Sequence, residues 1–149
     1  MLAVDVNVLV SAFRGDAADH DELRGWLEEA VNGDDFVAVS EAVISGVIRV
    51  LTHPRVFIPP TPIETAWAQV RGLIAHPNVR VIRPGDQHLN IFEDLCVTSG
   101  ATGNLVADAG DAATAIEHGL IWVSKDRDFA RFARLRRQQP TRRGHEHGD

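Results

Sequence analysis

Residues 2–10, Leu-Ala-Val-Asp-Val-Asn-Val-Leu-Val, set a carboxylate inside an otherwise apolar, valine-rich stretch. The run reads as a buried strand closed at Asp5, although periodicity alone does not say where strand gives way to helix. Asp5 stands between Val4 and Val6, where an unpaired buried carboxylate would cost several kcal/mol. It therefore either caps a buried helix or does chemistry.

Outward from this stretch the pattern alternates. Leu23, Trp26, Leu27, Ala30 and Val31 have helical spacing, ended by Asn32-Gly33. Phe36–Val39 reads as a strand, after which Ser40 caps a helix carrying Val43, Val47, Ile48 and Leu51 on one face and stopped by His53-Pro54. Thr61-Pro-Ile-Glu64 has the form of a capping box with proline at the first helical position, opening a helix through Trp67, Val70 and Ile74. Val79–Ile82 reads as a strand, and the helix after it sets Leu89, Phe92 and Cys96 on one side before Gly100. Leu105-Val106-Ala107 then meets a helix at Asp108 that runs to Gly119, Leu120–Val123 is the last expected strand, and Phe129, Phe132 and Ala133 suggest a short closing helix. Strands and helices alternating in this way specify an α/β fold, with a mostly parallel central sheet and helices on both faces.

The chain has 149 residues, 44% of them hydrophobic, which suits one globular domain. The lone Cys96 forms no internal disulfide, and the N-terminal apolar stretch has no basic lead-in and is too short to span a bilayer. A cytoplasmic protein without a membrane segment is expected. Charge is unevenly spread: residues 1–124 carry −10, residues 125–143 carry +6 and the last six carry −2. A basic tail can meet nucleic-acid phosphates or simply be solvated. His145-Glu-His147 within it could hold a metal only weakly. No phosphate-binding glycine loop, nucleophile elbow or H-E-x-x-H motif is present.

In a parallel α/β sheet, ligands bind beyond the carboxyl ends of the strands. Asp5, Glu41, Asp108 and Asp126 all fall at that edge, with Asp111 on the same helical face as Asp108. Each acid also has a structural alternative: a cap for Asp5 and Asp108, a dipole partner for Glu41, a turn residue for Asp126. Clustered carboxylates repel, so either their pKa values rise or a cation neutralises them, and oxygen donors suit Mg²⁺ or Mn²⁺. Asn7 and Ser124 are placed to support the carboxylates. Asp128 is expected to cap the closing helix, leaving Asp126 free to bind metal.

The order D-V-N at 5–7, S-E at 40–41, N-L-V-A-D-A at 104–109, A-I-E-H-G at 115–119 and V-S-K-D-R-D-F at 123–129 resembles PIN-domain ribonucleases of the VapC toxin type. The segment R-V-L-T-H-P-R-V-F at 49–57 resembles one branch of that group. The resemblance spans residues 1–135 and leaves residues 136–149 as a polar, flexible tail. It implies a PIN-like three-layer fold and a Mg²⁺ or Mn²⁺ site made by Asp5, Glu41, Asp108 and Asp126, with Asp111 as a further candidate ligand. It further implies cleavage of RNA phosphodiester bonds, inhibition by a small cognate antitoxin and a homodimer. The chain departs from the pattern at Val6, where many relatives have Thr, at Gly110-Asp111, usually apolar, and at Arg136-Arg137-Gln138, where an apolar strand is common.

Three other classes are weighed against this. A catalytically weak or inactive PIN-like module would keep the fold only to bind a partner. A receiver-like phosphoacceptor domain would use Lys125 but needs an aspartate closing a central strand, whereas Val79–Ile82 is followed by Arg83-Pro84. An aspartyl phosphohydrolase would want D-x-D where this chain has D-V-N.

Overall fold

The structure, a computed structural model, describes residues 1–141. The sheet has five strands: β1 (Leu2–Val4), β2 (Val37–Ser40), β3 (Val79–Ile82), β4 (Ile121–Val123) and β5 (Arg137–Gln138), in the order β3-β2-β1-β4-β5. Every pairing among them is parallel. Between the strands lie α1 (Val6–Phe13), α2 (His20–Val31), α3 (Glu41–Leu51), α4 (Ile63–Ile74), α5 (His88–Ser99) and α6 (Asn104–Glu117), with a 3₁₀ turn at Arg127–Arg131 before β5. The chain steps from β1 to β2 to β3 in one direction, then crosses back to β4 on the other side of β1. Right-handed crossovers therefore put α1–α4 on one face of the sheet and α5–α6 on the other.

The first strand is shorter than the apolar run. Asp5, in extended conformation, accepts the Val6 N–H at 2.6 Å on Oδ1, and helix α1 begins at once. Valines 6, 8 and 10 are thus helical, because a three-residue strand already matches the length of its neighbour β4 and the cap turns the chain. Val8, Leu9 and Ala12 then face the core, and α1 lies so close to α3 that a Cβ on Gly46 would stand 2.7 Å from Val6 Cγ2.

Ser40 caps α3 as expected, its hydroxyl accepting the Val43 N–H at 3.0 Å. Ser40→Ala should cost about 1 kcal/mol, read as a lower urea midpoint with an unchanged slope. The capping box at Thr61 does not form: α4 starts one residue later, Pro62 is its N-cap without a side-chain bond, and the Thr61 hydroxyl accepts instead from Arg14. On α5 the buried residue is Leu95, whereas Leu89 is 72% exposed. The sheet also continues beyond residue 135. Arg137 and Gln138 pair with Trp122 and Val123 as a polar edge strand, and Pro140 is buried. The remainder of the expected tail, with His145-Glu-His147, lies outside the described residues. Among the described residues no helix is long and apolar enough to cross a membrane.

Candidate active site

The strand order reverses between β1 and β4, the place where an open α/β sheet forms its ligand crevice. Register puts Val4 beside Val123, so the residues leaving the two strands, Asp5 and Ser124, meet. The Asp5 N–H reaches Val123 O at 3.0 Å, and the Ser124 hydroxyl donates to Asp5 Oδ2 at 2.6 Å. Ser124 Oγ also accepts from Asn7 Nδ2 at 3.2 Å and from the Asp126 N–H at 2.9 Å, while Asn7 Oδ1 accepts the Lys125 N–H at 3.3 Å. One hydroxyl and one amide thus tie the two carboxylate-bearing turns together.

Helix α6 supplies the opposite wall. It begins at Asn104, so Asp108 sits in its second turn and is not a cap; Gly103 holds the N-cap position with φ 56°. Asn104, Asp108 and Asp111 recur at i, i+4 and i+7, and all three line one cleft of about 650 Å³ with Asp5 and Asp126. The cap expected of Asp128 is supplied by Asp126 instead: its Oδ1 accepts the Asp128 N–H at 2.9 Å and caps the 3₁₀ turn. Asp126 therefore has a structural duty as well as a place in the cleft.

Glu41 is not brought into this cleft. Exposed at the start of α3, it pairs with Arg83 at 2.7 Å and lines a neighbouring cavity with Trp67 and Arg71. Sequence reasoning also passed over Arg49 and Ser11 as lining residues, and gave Lys125 no part in a nuclease. Lys125 Nζ donates to Ser11 Oγ at 2.7 Å and to Asp19 Oδ2 at 2.8 Å.

The carboxylates sense one another. Burial raises Asp5 above the ordinary carboxylate range, opposed by the Ser124 and Val6 hydrogen bonds and reinforced by the charge of Asp126. Burial, then the charges of Asp126, Asp5 and Asp128, push Asp108 up to about 6. Burial, then Asp5 and Asp108, push Asp111 up to about 7. Among the described residues no three such side chains stand close enough to hold a metal ion as placed. The donors are nonetheless the carboxylate oxygens that hard cations prefer.

Folded-state pKa values above the usual range mean that the native state binds more protons than the unfolded chain. The associated stability is full below about pH 4 and is lost as pH rises through about 6 and then about 7. In chelator, stability should therefore fall between pH 5 and pH 8, by on the order of 2 kcal/mol after allowance for partial exposure. Asp111→Asn should flatten that fall, and millimolar Mn²⁺ should raise Tm more at pH 8 than at pH 5. Unfolding midpoints for parent and variant at both pH values check this; parallel profiles would contradict it.

Comparison with known families is decisive here: residues 2–135 match the PIN domain. The chain belongs to the PIN-domain family. Over 140 residues this PIN domain is 46% identical to Ribonuclease VapC43 of Mycobacterium tuberculosis, covering 94% of this chain and 95% of the relative. It is 39% identical to Ribonuclease VapC25 of the same species, covering 94% and 99%. Among solved structures it resembles a chain of VapBC2 from Rickettsia felis, crystallised with a DNA fragment from its promoter, at TM-score 0.69 and 17% identity, covering 93% and 97%. That likeness shows the PIN fold, and family membership sets the receiver and phosphohydrolase alternatives aside. Val79–Ile82 is in fact an edge strand, and the central strand β1 is followed directly by Asp5, so it is family membership and not Arg83-Pro84 that excludes a receiver.

Proposed function

We propose that this PIN domain is a Mg²⁺- or Mn²⁺-dependent endoribonuclease toxin, acting in the cytoplasm as a homodimer and restrained by a small antitoxin protein. The observation that carries the reading is the meeting of Asp5, Asp108, Asp111 and Asp126 in one cleft at the switch point between β1 and β4. The 46% identity to a VapC ribonuclease supports RNA as substrate, and the VapBC assembly at TM-score 0.69 supports an antitoxin partner. Exposed Leu89 and Val97 on α5 supply apolar surface for a second copy.

Asp5, Asp108 and Asp126 would hold the cation, with Asp111 beneath them. When bound, the ion supplies Lewis acidity to water and to the scissile phosphate. Ser124 keeps Asp5 Oδ2 oriented, and Asn7 keeps Ser124 in place. Asp111, with its pKa pushed up to about 7, holds a proton on its carboxyl in much of the population at neutral pH and so limits the charge the cleft must carry before a cation arrives. Glu41 can join the set only by leaving Arg83, and an ion pair with both partners more than half exposed resists little.

The test is incubation of the purified chain, freed of partner, with total RNA in millimolar Mg²⁺ or Mn²⁺ and again in chelator. Discrete fragments that vanish in chelator are expected. Intact RNA under every condition would favour the inactive interaction module.

A further inference from the structure

Two cations line the carboxylate cleft, and they are engaged differently. Lys125 is held by Ser11 and Asp19. Arg49, in the last turn of α3, is exposed, and its guanidinium has no hydrogen-bond, ion-pair or ring partner among the described residues, while its backbone carbonyl accepts from the Thr52 hydroxyl at 3.4 Å. Elsewhere Arg14, Arg24, Arg83 and Arg134 are each tied to a carboxylate. With −10 spread over residues 1–124, a polyanion nearing the carboxylates is repelled before it makes contact. Arg49 is the cleft cation whose charge is left for a ligand. The same cleft is also lined by Val56, 52% exposed, and by Phe57, whose ring carries the Arg14 guanidinium at 4.2 Å. A free guanidinium next to apolar side chains suits a nucleotide, with its phosphate and its base, better than a bare anion.

We propose that Arg49 is a substrate-binding residue that grips a non-scissile backbone phosphate of single-stranded RNA, with the adjoining base laid against Val56 and Phe57. The proposal rests on the ribonuclease reading above. Its rival is purely structural: a cation in the last turn of α3 that complements the helix dipole.

The experiment is steady-state cleavage of a fluorogenic single-stranded RNA oligonucleotide in Mg²⁺ at several salt concentrations, with Tm recorded for each protein. Arg49→Gln should raise KM about tenfold with kcat within about twofold. It should also make the dependence of log(kcat/KM) on log salt shallower by about 0.7, the share of one phosphate contact on a single strand. Arg49→Lys, which keeps the charge, should retain the parent salt slope, and Arg24→Gln, outside the cleft, should match the parent throughout. KM and salt slope unchanged in Arg49→Gln, with only Tm lowered, would overturn the proposal in favour of the dipole role. A fall in kcat at unchanged KM would overturn it as well. A parent that cleaves no RNA would instead remove the ribonuclease reading, and this proposal with it.

Discussion

Replacing Asp5 by asparagine is expected to lower RNA cleavage by at least about a thousandfold, roughly 4 kcal/mol of transition-state stabilisation, while leaving the protein folded. Asp5 faces both walls of the cleft: behind burial, its charge contributes to raising Asp108, together with that of Asp126, and Asp111, and its oxygens are bonded to Val6 and Ser124. Asparagine keeps the oxygen that caps α1 but puts an amide where Oδ2 accepts the Ser124 hydroxyl. Ser124 Oγ already accepts from Asn7 and Asp126, so one bond must invert and the support of the site loosens. Removing the Asp5 charge also relieves Asp108 and Asp111, so the variant should be at least as stable as the parent at pH 8 in chelator. That pairing of lost activity with retained or increased stability separates loss of chemistry from unfolding. A folded variant that cleaves at the parent rate would sink the assignment.

The second large effect concerns Asp126 and its neighbour. Asp126→Asn should lower cleavage by at least tenfold, more than about 1.4 kcal/mol, whereas Asp128→Ser should remain within several-fold of the parent. The asparagine is chosen because Asp126 caps the 3₁₀ turn through its own carboxylate oxygen, and asparagine caps about as well. Stability should therefore hardly change, and the lost activity reports the lost charge. Asp128 lines no part of the cleft and acts on it only through its charge at Asp108. If the Asp128 variant loses activity while the Asp126 variant keeps it, the two roles must be exchanged.

That several acids share one sheet edge is legible, because Asp5, Asp108, Asp111 and Asp126 follow from the alternation of elements and line one cleft. A carboxylate between two valines marks itself out, although it also serves as the cap of α1, and the spacing of Asn7 and Ser124 agrees with the bonds they make. The alternation of strand and helix patterns carried the parallel sheet without any pairing information. What was not legible is local. The valines after Asp5 serve a strand or a helix equally, and the cap that decides between them is the same side chain taken for chemistry. Asp126 and Asp128 are both acids before an apolar turn; only backbone geometry selects which one caps. β5 is two polar, exposed residues at a sheet edge and leaves no hydrophobic pattern to find. The start of α6 carries no side-chain cap, so nothing in the sequence marks its apolar first turn as helix. Glu41 was grouped with the acids by its place after β2, but Arg83, following β3, draws it into an ion pair in the next cavity. Its partner follows a strand far away in sequence, which spacing alone does not reveal.

Asp5, Asp108 and Asp126 are proposed to form a divalent-cation site at the β1–β4 switch point. Crystals of the chain soaked in millimolar Mn²⁺ and measured at a wavelength where manganese scatters anomalously test it most directly. An anomalous peak is expected within oxygen-ligand distance of Asp5 and Asp108, about 2.0–2.6 Å, and should disappear in Asp5→Asn. A cleft without a peak at that concentration, or a peak that survives the Asp5 substitution undiminished, would contradict it.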